Sequence, residues 1–207
     1  MREECHVLEA KPFSVMILAG GQSRRMGGRD KAALSWAQGD LLGSLLTRLL
    51  PFSDDIIVSS NRIRKIPERV RQVADLIPGK GPLSGIHAGL IAARHELVFV
   101  TACDVPFLEP QLAFALASAV GQAEASVAVY KEQIQPLAAC YRQKCAVVIE
   151  QLLAEGQYRV TDLLAKIKWV AFRQLDEFDE CCFMNMNTDH DYEKAKALLA
   201  KGKKYDN

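Results

Sequence analysis

Along the chain, apolar runs of strand length alternate with longer stretches whose apolar residues recur at helical spacing. Ser14 to Ala19 (SVMILA) is almost uniformly apolar and ends at Gly20-Gly21, which predicts a parallel strand buried on both faces. Leu41 to Leu50 carries leucines at helical spacing, Asp55 to Ser60 (DIIVSS) is a second strand, and Arg71 to Ala74 is a candidate third. Leu83 to Ala93 is a helix opened by Gly81-Pro82, with proline near its first turn. Leu97 to Ala102 (LVFVTA) is strongly β-prone, and Pro110 to Val120 returns to helical spacing.

Beyond Ala125 the rhythm changes. Two short strands, Ala125 to Tyr130 and Pro136 to Tyr141, flank the polar segment KEQIQ and suggest an antiparallel or irregular excursion. Gln143 to Ala154 and Val160 to Ala165 are predicted helices, and Trp169 to Arg173 and Cys182 to Met186 predicted strands. The last helix, Asp189 to Ala200, has Thr188 as its N-cap, with Asp189 and Asp191 complementing its dipole. Strand–helix alternation in the first half implies βαβ units and a mostly parallel α/β sheet. With no repeat or low-complexity linker, residues 1–207 read as a single domain, with 1–13 and 201–207 peripheral or frayed.

Composition narrows the partners. A formal net charge of +1 gives no global field toward nucleic acid or an anionic membrane, so a bound anion must be held by a local cluster. The start carries no secretory signal, and the apolar runs fall far short of the roughly 20 residues of a membrane span, so a cytoplasmic protein is expected. The six cysteines form no C-x-x-C pair, and Cys181-Cys182 read as buried thiols at a strand start.

The local cluster is LAGGQSRRMGGRDK, from Leu18 to Lys31, where a buried strand runs into four glycines and four cations. Ligands of parallel sheets bind at the carboxyl ends of strands. Glycines let successive N–H groups approach an anion, and arginine grips phosphate oxygens in pairs. The segment is neither a Walker A loop, since Ala32 follows Lys31, nor a G-x-G-x-x-G fingerprint. Asp104 in TACDVPF follows the most β-prone strand, where a carboxylate can hold Mg²⁺ beside substrate phosphates. Gly79 to Ile86 (GKGPLSGI) fits an anion-binding helix start or a plain βα turn equally well. Asn61 and Asp75 end neighbouring strands. Asn185 and Asn187 stand at strand spacing, although periodicity alone favours Asx turns before the last helix.

In this order, LAGGQSRRMGGRDKA, GPLSGIHAGL, TACDVPFL, QPLAACYR and FMNMNT resemble the molybdenum cofactor guanylyltransferases, which join GMP to molybdopterin. The resemblance implies a Rossmann-like, three-layer nucleotidyltransferase fold. It implies that Leu18, Ala19 and Gly20 contact GTP through backbone groups and that Lys31 binds its phosphates. Asn61 and Asp75 would help select base and ribose, Asp104 would hold Mg²⁺, and Arg25 would support the triphosphate. Arg159, Asn185 and Asn187 would lie on the molybdopterin side, with a departure at EGQYRV, where Tyr158 precedes Arg159. Catalysis would rest on Arg25, Lys31 and Asp104, while Arg24 and Arg29 read as solvated.

Phosphoryl-type transfer needs positioning and charge neutralisation more than covalent help, which suits a chain whose histidines (His6, His87, His95, His190) are scattered. Transient contact with proteins that make or accept molybdopterin is expected. Two alternatives are a cytidylyltransferase acting on molybdopterin or another phosphorylated acceptor, and a nucleotide-binding module without catalysis.

Overall fold

The computed structural model describes residues 12–20, 29–37, 39–77 and 79–201. In chain order the first half comprises β1 (Phe13–Leu18), the ribbon β2 (Ser35–Trp36) and β3 (Gly39–Asp40), α1 (Leu41–Leu49), β4 (Ile56–Ser59), β5 (Val70–Val73), α2 (Gly81–Ala92) and β6 (Leu97–Ala102). The second half adds α3 (Gln111–Ala119), β7 (Ala125–Tyr130), β8 (Gln133–Arg142), α4 (Cys145–Ala154), α5 (Val160–Leu164), β9 (Trp169–Phe172) and α6 (Asp189–Ala200).

Seven strands form one sheet in the order β5-β4-β1-β6-β8-β7-β9. β8 pairs antiparallel with both neighbours, and every other pairing in this sheet is parallel. β1 is buried along its whole length, and its alternating side chains serve two cores. Val15 and Ile17 pack with leucines of α1 and α3, whereas Met16 and Leu18 pack with α2, α4 and α5. The expected three-layer α/β architecture is therefore present. Phe13, grouped on sequence with the peripheral N-terminal residues, instead opens β1 and is buried.

Helix α2 lies unusually close to the sheet. A Cβ on Gly89 would stand 2.1 Å from Met16 Sδ, and one on Gly85 2.6 Å from Leu18 Cδ2. Those glycines are the reason a helix buried continuously from Leu83 to Leu90 fits between the sheet and α4.

Two expectations need correction. The KEQIQ segment is mostly strand: only Lys131 and Glu132 turn, at φ 47° and 60°, and Gln133 already pairs with Tyr130. Its residues are exposed or half-buried, so they lack the apolar alternation that marks a strand. Cys182–Met186 is not a strand. Glu180–Phe183 is a 3-10 turn, and the residues after it cross the carboxyl end of β6 without joining the sheet. β6 already has β1 and β8 on its two edges, and Met186 is buried instead against Trp36 and Phe107. Of the two cysteines expected to be buried at a strand start, Cys182 is buried but Cys181 only half-buried, and both lie in the 3-10 turn. The residues of the C-terminal tail after Lys201 lie outside the described residues. Among the described residues no helix is long and apolar enough to cross a membrane.

Candidate active site

From β1 the chain moves outward to β4 and β5, then returns to the other side of β1 as β6. The strand order thus reverses between β1 and β6, and the carboxyl ends of parallel strands splay apart at such a reversal. A cleft of about 990 Å³ opens there. It is lined by Leu18, Ala19 and Gly20 from the end of β1, Asn61 and Asp75 beyond β4 and β5, and Lys31 and Asp104.

Lys31 lies 13 positions beyond the end of β1, and Asp104 follows β6. The fold brings them together across 73 residues of sequence, with Lys31 Nζ 2.8 Å from Asp104 Oδ2. Their side chains remain 18% and 19% exposed, sheltered yet open to the cleft. Lys31 Nζ also donates to Asn187 Oδ1 at 2.8 Å. The Met186 N–H, from the next residue back, donates to the Asp104 carbonyl at 2.9 Å. Asn185 and Asn187 both line the cleft, while Met186 between them is buried. Same-face spacing is kept here without a sheet partner.

Asn61 and Asp75 form a reciprocal pair. Asn61 Nδ2 donates to Asp75 Oδ2 and Asn61 Oδ1 accepts from the Asp75 N–H, each at 2.9 Å. The Ser59 hydroxyl donates to Asp75 Oδ1 at 3.3 Å. Asn61 therefore orients the carboxylate. The GKGPLSG turn contributes Gly79 and Gly81, at φ 77° and 72°, to the same cleft, and its helix start faces inward.

Arg159 is not among the residues that line the cleft. It is exposed at the start of α5, where its N–H donates to Asp162 Oδ2 at 3.1 Å. Its neighbour Tyr158 lies beneath the Lys80 ammonium, 4.5 Å from the ring centroid. Arg24 and Arg25 lie outside the described residues. Arg29, read as solvated, is ion-paired with Asp189 at the start of α6.

Sequence reasoning passed over Asp30 and Arg64. Arg64 donates to Asp30 Oδ2 at 2.5 Å and to the Ala19 carbonyl at 2.7 Å. Burial alone would raise the Asp30 pKa, but the hydrogen bond and charge of Arg64 outweigh it and hold the carboxyl below its ordinary value. The R-x-R spacing after β4 was the available signal, since it puts two arginines on one side of an extended segment.

Other chemistry is disfavoured. Cys103 adjoins Asp104, but burial pushes its thiol up to about 12, so it is no nucleophile at neutral pH. None of the described histidines lines the cleft; His87 is buried in α2, and His95 pairs with Asp54 at 2.7 Å.

Comparison with known proteins places this architecture. A family model described as the MobA-like NTP transferase domain matches residues 15–171. The chain is 35% identical over 192 residues to a probable molybdenum cofactor guanylyltransferase of Carboxydothermus hydrogenoformans, covering 91% of this chain and 97% of that protein. It is 36% identical to the molybdenum cofactor guanylyltransferase of Pseudomonas putida, covering 86% and 94%. Among solved structures, molybdopterin-guanine dinucleotide biosynthesis protein A from Archaeoglobus fulgidus superposes with a TM-score of 0.77 at 24% identity, covering 91% and 99%. A 2-C-methyl-D-erythritol 4-phosphate cytidylyltransferase from Thermus thermophilus superposes at 0.71 with 16% identity, covering 91% and 99%, so the fold alone does not choose the base.

Proposed function

This chain belongs to the MobA-like NTP transferase family, and on that premise we propose that it transfers GMP from GTP to the terminal phosphate of molybdopterin, releasing pyrophosphate. The observation that carries the reading is the Lys31–Asp104 pair, standing in the cleft where the strand order reverses.

In the reaction, an oxygen of the molybdopterin phosphate forms a bond to the α-phosphorus of GTP. The bond from that phosphorus to the bridging oxygen breaks, and pyrophosphate leaves with the electron pair. A phosphate monoester is already ionised near neutral pH, so no general base is needed, which fits a cleft that none of the described histidines lines. Lys31 would neutralise charge on the phosphates, with Arg25 assisting, and the backbone of Leu18, Ala19 and Gly20 would face the nucleotide.

The donor set at Asp104 suits Mg²⁺. One sheltered carboxylate opens onto the cleft, and magnesium is commonly held by one or two carboxylates with substrate phosphates and water completing its shell. Bound there, the ion would supply electrostatic stabilisation of the transferring phosphoryl group.

Base choice follows from Asp75. Its carboxylate accepts hydrogen bonds and cannot donate, and Asn61 fixes its plane. Guanine offers two adjacent donors, N1–H and the 2-amino group, to such an acceptor. Cytosine offers one amino group beside an acceptor nitrogen, which would face the carboxylate unfavourably. Adjacent strands stand about 4.8 Å apart, so the end of β5 lies roughly 10 Å from that of β1, the reach of a nucleoside from its phosphates. Asn185 and Asn187 would address the acceptor, and Arg159, exposed at the start of α5, would reach it from outside the cleft lining. We place the reaction in the cytoplasm, with the acceptor passed by transient contact with proteins that make or take up molybdopterin.

Pyrophosphate release tests this. Purified protein with Mg²⁺ and molybdopterin should release pyrophosphate from GTP, and GTP should raise its Tm more than CTP does. Equal response to CTP would overturn the base assignment, and no acceptor-dependent release would overturn the activity.

A further inference from the structure

Ala19, just after β1, and Asp30, just before Lys31, converge on one side chain. The Arg64 guanidinium donates through one terminal nitrogen to the Ala19 carbonyl at 2.7 Å and through the other to Asp30 Oδ2 at 2.5 Å. Its Nε donates to Ser60 Oγ at 3.0 Å, which anchors it to the end of β4. The side chain is only 10% exposed, although it springs from a segment whose neighbour Ile63 is fully exposed. Arg62 reaches the same Asp30 oxygen at 3.3 Å but is 63% exposed and so contributes less order.

We propose that Arg64 is a positioning residue of the nucleotide site: it clasps Asp30 to Ala19 at the end of β1 and thereby fixes where Lys31 stands. The inference rests on the nucleotide-binding reading of Lys31. A clasp needs a planar fork that can span separate acceptors in fixed directions, which guanidinium provides and ammonium does not. Lys31 is the residue after Asp30, so slack at Asp30 moves its ammonium, and small displacements of such groups are costly. The base, held at Asn61 and Asp75, touches neither end of the clasp. Loss of the clasp should therefore weaken binding through the phosphates and leave binding through the base alone.

The test compares Kd for GTP and for guanosine, by calorimetry, in the wild type, Arg64→Met, Arg64→Lys and Asp30→Asn. We expect Kd for GTP to rise roughly 10- to 100-fold in all three variants while Kd for guanosine stays within about 2-fold. Combining Arg64→Lys with Asp30→Asn should add little, because both cut the same link. Arg64→Lys and Asp30→Asn are the milder changes and carry the test if Arg64→Met fails to fold. Wild-type affinity for GTP in Arg64→Lys would overturn the clasp in favour of charge alone, and parallel loss of GTP and guanosine would reduce Arg64 to a fold residue. A wild type that binds GTP no better than guanosine would instead overturn the nucleotide-binding reading of Lys31 itself.

Discussion

The parallel strands carry a buried or sheltered carboxylate cluster at each end, and the two clusters are built on opposite plans. At the amino end Asp55 is 1% exposed and saturated: Ser14 Oγ donates at 2.6 Å, the Arg94 N–H at 2.8 Å, and Arg71 through two nitrogens at 3.1 and 2.5 Å. At the carboxyl end Asp104 is held, among the described side chains, by Lys31, and both open onto the cleft. The first arrangement joins β1, β4, β5 and the end of α2, and leaves no room for a ligand. The second spends the same chemistry on groups that can exchange partners when phosphates arrive. An ionised side chain in a parallel sheet is therefore not by itself a sign of function; openness to a cavity is what separates the two.

Breaking the open cluster should cost turnover and spare the fold. Asp104→Ala is expected to reduce turnover on the order of 10³-fold, about 4 kcal/mol of transition-state stabilisation, in a pyrophosphate-release assay. Its unfolding free energy should change by about 1 kcal/mol or less, because the lost pair is partly solvated. Breaking the closed cluster should do the reverse. Asp55→Ala leaves Arg71 facing a buried gap and is expected to cost about 3 kcal/mol in denaturant unfolding, with nucleotide affinity of the folded protein unchanged. If Asp55→Ala lost GTP affinity without losing stability, the division between the two ends would be wrong.

Smaller effects sharpen the contrast. Gly89→Ala would press a methyl group into Met16, far from the cleft, and should cost about 1–3 kcal/mol of stability with normal turnover. Acid should weaken the closed cluster. Burial alone would raise the Asp55 pKa, but Ser14, the Arg94 amide and Arg71 outweigh it and hold it below its ordinary value. A carboxyl whose folded pKa is depressed contributes fully above its unfolded value, about 4, and loses that contribution as pH falls through the folded value. Tm should therefore decline below about pH 4, and Asp55→Asn should show a shallower decline over the same range. Unchanged steepness in that variant would assign the acid sensitivity elsewhere, with Asp30, also depressed, the next residue to test.

Much of this was legible in local pattern. A buried strand, a leucine-spaced helix and a capped last helix each announce themselves within a few residues, and their observed bounds fall within two residues of those expected for Ser14–Ala19, Leu41–Leu50 and Asp189–Ala200. The Thr188 cap is present, its hydroxyl accepting from the Asp191 N–H at 3.1 Å. What failed was whatever depended on neighbours in space. Met184 to Asn187 alternates like a strand, yet the sheet edge that Cys182–Met186 would need is taken. Asp30 and Arg64 are 34 positions apart, and only the β1–β4 adjacency makes them partners. The GKGPLSGI segment reads equally as a ligand-binding helix start or a plain turn, and the fold gives its Gly85 a third task, admitting α2 against Leu18, as Gly89 does against Met16.

The most direct measurement follows the α-phosphorus. GTP labelled at that position, incubated with the protein, Mg²⁺ and molybdopterin, should pass its label to a molybdopterin-containing product, and CTP labelled likewise should not. Label that stays in GTP or appears only as free GMP whether or not molybdopterin is present would contradict the proposed transfer.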